Sequence, residues 1–163
     1  MQSKVNHLFE PIYNDSSKIL ILGTMPSPKS RENGFYYMHP LNRFWPVIST
    51  VLCQSLPITI NDKLKFLHKN NIALWDVLKS CDIIGASDNS IKNPVANDIN
   101  IILSKANIKA IFTTGIKAYT LYNRLCLPHT NYTAIKLPST SPANCRMNIN
   151  ELIEKYKIIK KYL

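Results

Sequence analysis

Ile19-Leu20-Ile21-Leu22-Gly23 is an unbroken apolar run that ends on glycine and opens into Thr24-Met25-Pro26-Ser27-Pro28-Lys29-Ser30, a short hydroxyl-rich loop. A run this short and this apolar is predicted as a strand covered on both faces, as in a parallel sheet. Three further runs repeat the pattern: Ile72 to Trp75, Ala110 to Thr113, and Thr133 to Leu137, the last less apolar than the others. Stretches of helical spacing lie between them. Phe44, Val47, Ile48, Val51 and Leu52 fall on one helical face, and Pro46 is tolerable because the first turn has unpaired N–H groups anyway. Other helices are predicted from Ile60 to Lys69, Asp98 to Lys105, Ile116 to Leu125 and Asn148 to Tyr162. Strands alternating with helices predict a three-layer α/β/α sandwich with a central, mainly parallel four-stranded sheet. The 163 residues are read as one domain, residues 1–163.

The hydrophobic and charged fractions, 45% and 18%, are near globular averages, which excludes disordered, collagen-like and coiled-coil classes. No segment approaches the roughly 20 apolar residues of a membrane span, and residues 1–15 lack the apolar centre of a signal peptide, so a cytoplasmic protein is expected. Cys53, Cys81, Cys126 and Cys145 are scattered singly. Cys126 and His129 have a ligand-like spacing without a second pair, so free thiols are expected and no metal or other cofactor is indicated. The formal charge of +10 would attract a polyanion, nucleic acid being the commonest. The competing explanation is the Lys-, Asn- and Ile-rich composition of an AT-rich genome. Lys155, Lys157, Lys160 and Lys161 near the end read as a solvated helix face.

In open parallel sheets ligands bind beyond the carboxyl ends of the strands. Attention therefore goes to residues 23–43, 76–97, 114–117 and 138–146. The loop after Gly23 can offer backbone N–H groups to an anion or can be an ordinary strand-ending turn; it is not a P-loop, lacking the second Gly and the Gly-Lys-Ser/Thr ending. Gly34-Phe35-Tyr36-Tyr37-Met38-His39-Pro40-Leu41-Asn42-Arg43-Phe44-Trp45 is more specific. Aromatics for stacking and amides for base edges suit an extruded nucleobase, while a hydrophobic loop over the core is the other reading, with Phe44 and Trp45 assigned to core.

On Gly23-Thr24-Met25-Pro26-Ser27 and His39-Pro40-Leu41-Asn42-Arg43-Phe44-Trp45, together with Ala73-Leu74-Trp75-Asp76-Val77 and Leu137-Pro138-Ser139-Thr140-Ser141-Pro142-Ala143-Asn144, the chain resembles the uracil-DNA glycosylase superfamily, and within it the hypoxanthine-DNA (deoxyinosine) glycosylase branch. The resemblance implies a monofunctional enzyme that flips a deaminated base out of DNA and hydrolyses its N-glycosidic bond. Hypoxanthine is the implied base, with uracil or xanthine as further candidates. DNA carrying such bases is the implied partner, the chain acting as a monomer beside repair enzymes that the sequence does not identify. Where a related branch has a catalytic Asn in the first motif, Met25 stands here, and a thioether neither positions water nor stabilises charge well. The catalytic role passes by resemblance to Asn42, whose amide can orient water or bond the leaving base.

The same comparison assigns Tyr37 to stacking on the flipped base, with Tyr36 as substitute, and places Gly23, Thr24, Met25 and Thr114 around the base. His39 contacts base or phosphate, or else is a structural hydrogen-bonder. Ser27, Ser30, Ser139, Ser141, Pro142, Ala143 and Asn144 are assigned to DNA, the last five in the loop that presses into the minor groove. Ala143 is a short wedge, which leaves Asn144 to assist. Capping is the default role for Asp88 and Asp98, and a general base at Asp76 is a lesser reading. The alternatives are a uracil-preferring glycosylase, a module that binds flipped or single-stranded bases without chemistry, and a hydrolase of free nucleosides.

Overall fold

The computed structural model describes residues 1–163. In chain order its elements are β1 (Ser3–Asn6), β2 (Ile19–Gly23), α1 (Pro28–Asn33), α2 (Phe44–Val51), α3 (Ile60–Lys69), β3 (Ile72–Asp76), β4 (Leu78–Ile84), β5 (Ser87–Ala96), α4 (Asn100–Leu103), β6 (Ala110–Thr114), α5 (Ile116–Leu125), α6 (Leu127–Thr130), β7 (Ala134–Leu137) and α7 (Ile149–Tyr156), closed by a 3-10 turn over Lys157–Tyr162. The four apolar runs form one parallel sheet in the order β3-β2-β6-β7. Every residue of β2, β3 and β6 is buried, as continuous apolar strands covered by helices on both faces require. The helices α2 and α7 pack against each other, and Tyr156 of α7 donates its hydroxyl proton to the Pro138 carbonyl.

Helix ends follow local chemistry. Thr59 caps α3 and Asn148 caps α7, each in a reciprocal box with the acid three residues on, Asp62 and Glu151. The predicted Asn148 to Tyr162 helix is α-helical only to Tyr156 and then tightens. Between Asp98 and Lys105 the helix proper is one turn, with Asp98 accepting the Asn100 N–H at 3.1 Å.

The stretch 76–97, read as a long loop, is instead a hairpin. Strands β4 and β5 pair antiparallel, and β1 pairs with β4 to complete a second sheet, β1-β4-β5. Only one face of β4 is buried, through Leu78, Cys81 and Ile83, and β5 is mostly exposed, so neither carries an apolar run. Their polar composition hides the strands; pairing with a segment more than 70 residues earlier holds them. Asp88 lies on β5 and caps no helix.

Candidate active site

A cleft of ≈ 860 Å³ opens at the carboxyl ends of the parallel strands, where Gly23, Asp76, Thr114 and Leu137 end β2, β3, β6 and β7. Thr24, Met25, Tyr37 and Asn42 extend one side, the turn Ala86 to Asn89 of the hairpin overhangs another, and residues 138–147 close the third. Lys117, Lys136, Arg146 and Lys155 also line it. Its rim is therefore basic, its floor carries the Asp76 carboxylate, and Asp88 stands on the overhanging turn.

Tyr37 takes a left-handed backbone conformation, φ 55°, which a bulky residue adopts only when its surroundings enforce it. The enforcement is visible: its ring stacks on Phe44 with centroids 3.9 Å apart and planes 12° off parallel. The hydroxyl is buried without a partner, and burial, reinforced by the Asp76 charge, raises its pKa well above that of an ordinary tyrosine. Tyr36 turns the other way. It is 3% exposed, donates to the Glu10 carbonyl at 2.8 Å and packs on Phe9 and Phe35, so it is a core residue rather than a base contact.

His39 does not line the cleft; its Nδ1 accepts the Leu41 N–H and its carbonyl accepts the Asn42 N–H, which makes it the brace of the turn that presents Asn42. Asn42 is held at the start of α2. Its Oδ1 accepts from the Phe44 N–H and from the Thr140 hydroxyl, each at 2.9 Å. A carbonyl oxygen has two lone pairs, and both are engaged. The backbone donor fixes which end of the amide is oxygen, so the NH₂ is the end left for the cleft.

The loop after β7 is cross-braced. Ser139 Oγ accepts from the Ser141 N–H, Ser141 Oγ from the Ala143 N–H, and Asn144 Nδ2 donates to the Ser139 carbonyl. Ser139, Ser141, Ala143 and Asn144 line the cleft, whereas Pro142 does not. On the opposite side the hydroxyls of Ser27 and Ser30 border the cleft but are engaged within the loop: Ser27 caps α1 by accepting the Ser30 N–H, and Ser30 accepts the Met38 N–H. Thr24 and Met25 border it too; Thr24 donates to Asp88 Oδ2 at 3.3 Å, Asp88 itself standing exposed on β5. Thr114, 9% exposed, donates weakly to the Leu22 carbonyl at 3.5 Å.

Three features escaped sequence reasoning. The rim cations Lys117 and Arg146 fall inside segments marked by the strand-end rule, but nothing singled them out, and Lys155 belongs to a run read as solvated. Asp88 was marked for capping, and its place in the cleft wall was hidden with its hairpin. His7, whose ring bonds Asp76, comes from a segment with no motif at all. Cys126 and His129 form no metal site: no group of three or more His, Cys, Asp or Glu is placed to hold an ion, and burial pushes the Cys126 thiol up to about 11.

Gly23 shows how tightly the floor is built. A Cβ there would stand 2.5 Å from Asp76 Oδ1 and 3.3 Å from the Tyr37 hydroxyl. The carboxylate must give way although His7 holds its other oxygen, so Gly23→Ala is expected to cost about 1–3 kcal/mol of stability and, by misplacing a site group by about 1 Å, on the order of 10²-fold in activity. Wild-type activity per folded molecule would show that the position serves only packing.

Comparison with known proteins follows the same outline. The family model described as the uracil DNA glycosylase superfamily matches residues 10–160. A protein of Methanosarcina acetivorans named hypoxanthine DNA glycosylase is 33% identical over 144 residues, 87% of this chain and 90% of that one. A protein of the same name from Methanosarcina barkeri is 34% identical over 112 residues, 68% of this chain and 71% of its own. A solution NMR structure from M. acetivorans, described provisionally as a uracil DNA glycosylase, superposes with a TM-score of 0.79 at 28% identity, covering 98% of this chain and 99% of that one.

Proposed function

The chain belongs to the uracil DNA glycosylase superfamily, and from that premise we propose that this DNA glycosylase of deaminated bases removes hypoxanthine from deoxyinosine in DNA. The observation that carries the reading is the fixed amide of Asn42, with its oxygen engaged by Phe44 and Thr140 and its NH₂ left for the cleft. In glycosidic hydrolysis the C1′–N bond breaks with its electron pair going to the base, so negative charge grows on the base and positive charge on the sugar. A donor fixed beforehand beside the departing base stabilises that charge without reorganising. Water then adds to C1′ and the proton it loses neutralises the departed base anion, leaving an abasic sugar and free base. An amide is no strong base, so modest turnover is expected of an already labile substrate.

Tyr37 supports the reading as the stacking platform, its ring backed by Phe44. The names of the two relatives favour hypoxanthine, and the cleft has room for a bicyclic base. Monofunctional chemistry is part of the same reading, since none of the segments Gly23–Ser27, His39–Trp45, Ala73–Val77 and Leu137–Asn144 that carry the resemblance supplies a lysine as nucleophile. We infer further that the enzyme acts as a monomer in the cytoplasm. Parallel single-turnover assays on duplexes containing one deoxyinosine, deoxyuridine or deoxyxanthosine test the preference. Fastest release from deoxyinosine, with strands broken only after alkali, is expected; faster release from deoxyuridine would replace hypoxanthine by uracil as the substrate.

The basic rim predicts how DNA is held. Each phosphate neutralised contributes about 0.9 to the slope of log K against log salt. Changing both Arg146 and Lys155 to Gln is expected to reduce that slope by about 2 in fluorescence-anisotropy titrations. An unchanged slope would remove both side chains from the DNA interface.

A further inference from the structure

His7 stands just after β1 and before residues 10–160 that match the family model. Its side chain and that of Asp76 are 1% and 6% exposed, and His7 Nε2 lies 2.7 Å from Asp76 Oδ2. The tautomer follows from the other nitrogen. Nδ1 accepts the Phe9 N–H at 3.2 Å, so the ring proton is on Nε2 and is donated to the carboxylate. Edge contact with Phe9 and packing against Tyr36 lock the ring in that orientation.

The consequence falls on the other oxygen. With Oδ2 held by His7, Oδ1 points over Gly23 in the cleft floor and accepts no hydrogen bond from the protein. The nearby Tyr37 hydroxyl does not donate to it either, being itself without a partner. A carboxylate is acceptor-only, so this atom attracts an N–H and repels a lone pair. That is the chemical difference deamination makes. The ring nitrogen N1 of adenine carries a lone pair; in the lactam hypoxanthine the same nitrogen carries a hydrogen.

We propose that the His7–Asp76 pair is a specificity device of the cleft, Asp76 Oδ1 accepting the lactam N–H of the flipped base and His7 positioning the carboxylate to do so. The proposal rests on the glycosylase reading and names the edge of the base that the site reads. A lactam is accepted, and a base with a lone pair at that position meets a buried negative charge. Discrimination by a buried polar group exceeds what packing achieves, because the wrong base leaves it unpaired or opposed.

The test compares single-turnover release from duplexes carrying deoxyinosine and 2′-deoxynebularine, whose purine has a lone pair at N1, by wild type, Asp76→Asn, His7→Gln and His7→Phe. Asn is isosteric, and with its oxygen kept by His7 it turns NH₂ toward the base. Release from deoxyinosine should then fall by at least about tenfold while release from deoxynebularine does not fall, so the selectivity ratio collapses. His7→Phe should lower the ratio, and His7→Gln, which retains a donor, should restore part of it. Equal slowing of both substrates by Asp76→Asn, or no change on deoxyinosine, would overturn the proposal while leaving the glycosylase reading intact. Wild type inert on both duplexes would overturn the glycosylase reading and this role with it.

Discussion

Asn42→Asp is expected to fold normally and to lose about 10²–10³-fold in the rate of hypoxanthine release, the usual cost of removing one pre-organised donor from a developing anion. The substitution is chosen for what it keeps. A carboxylate can still accept from the Phe44 N–H and the Thr140 hydroxyl, so the start of α2 stays capped and the last loop stays attached. It removes the NH₂ and adds negative charge where the departing base gains negative charge. Single-turnover kinetics with thermal melting as a control would read the two effects apart. Asn42→Ala would add a structural loss of about 1 kcal/mol from the missing cap, which makes it the less clean variant. Retention of activity by Asn42→Asp would mean that the residue works through its oxygen, and the donor mechanism would fall.

The second large effect is structural. Arg43 donates from its guanidinium to the carbonyls of Met147 at 2.6 Å, Asn144 at 2.9 Å and Ser141 at 3.0 Å, and its backbone N–H reaches the Thr140 carbonyl at 3.1 Å. One side chain at the start of α2 thereby fixes the loop that closes the cleft, 98 to 104 residues later. The planar fork of Arg matches several carbonyls at once, and Lys cannot reproduce it. Because the site is part-buried and water can reach the freed carbonyls, Arg43→Met is expected to cost on the order of 3 kcal/mol rather than the full sum of its bonds. For a chain of this size that lowers the melting temperature by roughly 6–12 °C. Residues 139–147 should become sensitive to limited proteolysis, and base release should fall as Thr140 leaves Asn42. A melting temperature within about 2 °C of wild type would show that the loop holds itself.

What the sequence made legible divides along the range of the interactions involved. Three strands of the parallel sheet, β2, β3 and β6, are short apolar runs buried throughout, and the partly exposed β7 still carries enough of the pattern to be found, Thr133 excepted. The hairpin was not, because β4 is held between the distant β1 and β5, and β5, paired only with β4, is mostly exposed. The same distinction runs through the site. Tyr37, Asn42, Met25 and Ser139 stand in contiguous motifs, and all border the cleft. Tyr36 and Tyr37 are neighbours of equal chemistry, and only the positive φ at Tyr37 decides which ring faces the cleft. His7 could not have been found from spacing, since its partner is 69 residues away on another sheet.

The central claim is tested most directly by incubating the wild-type protein with a duplex containing a single deoxyinosine and identifying the released base chromatographically. The account predicts free hypoxanthine in amounts equal to the alkali-labile sites formed in the strand. Recovery of intact deoxyinosine from DNA that the protein has nonetheless bound would contradict it.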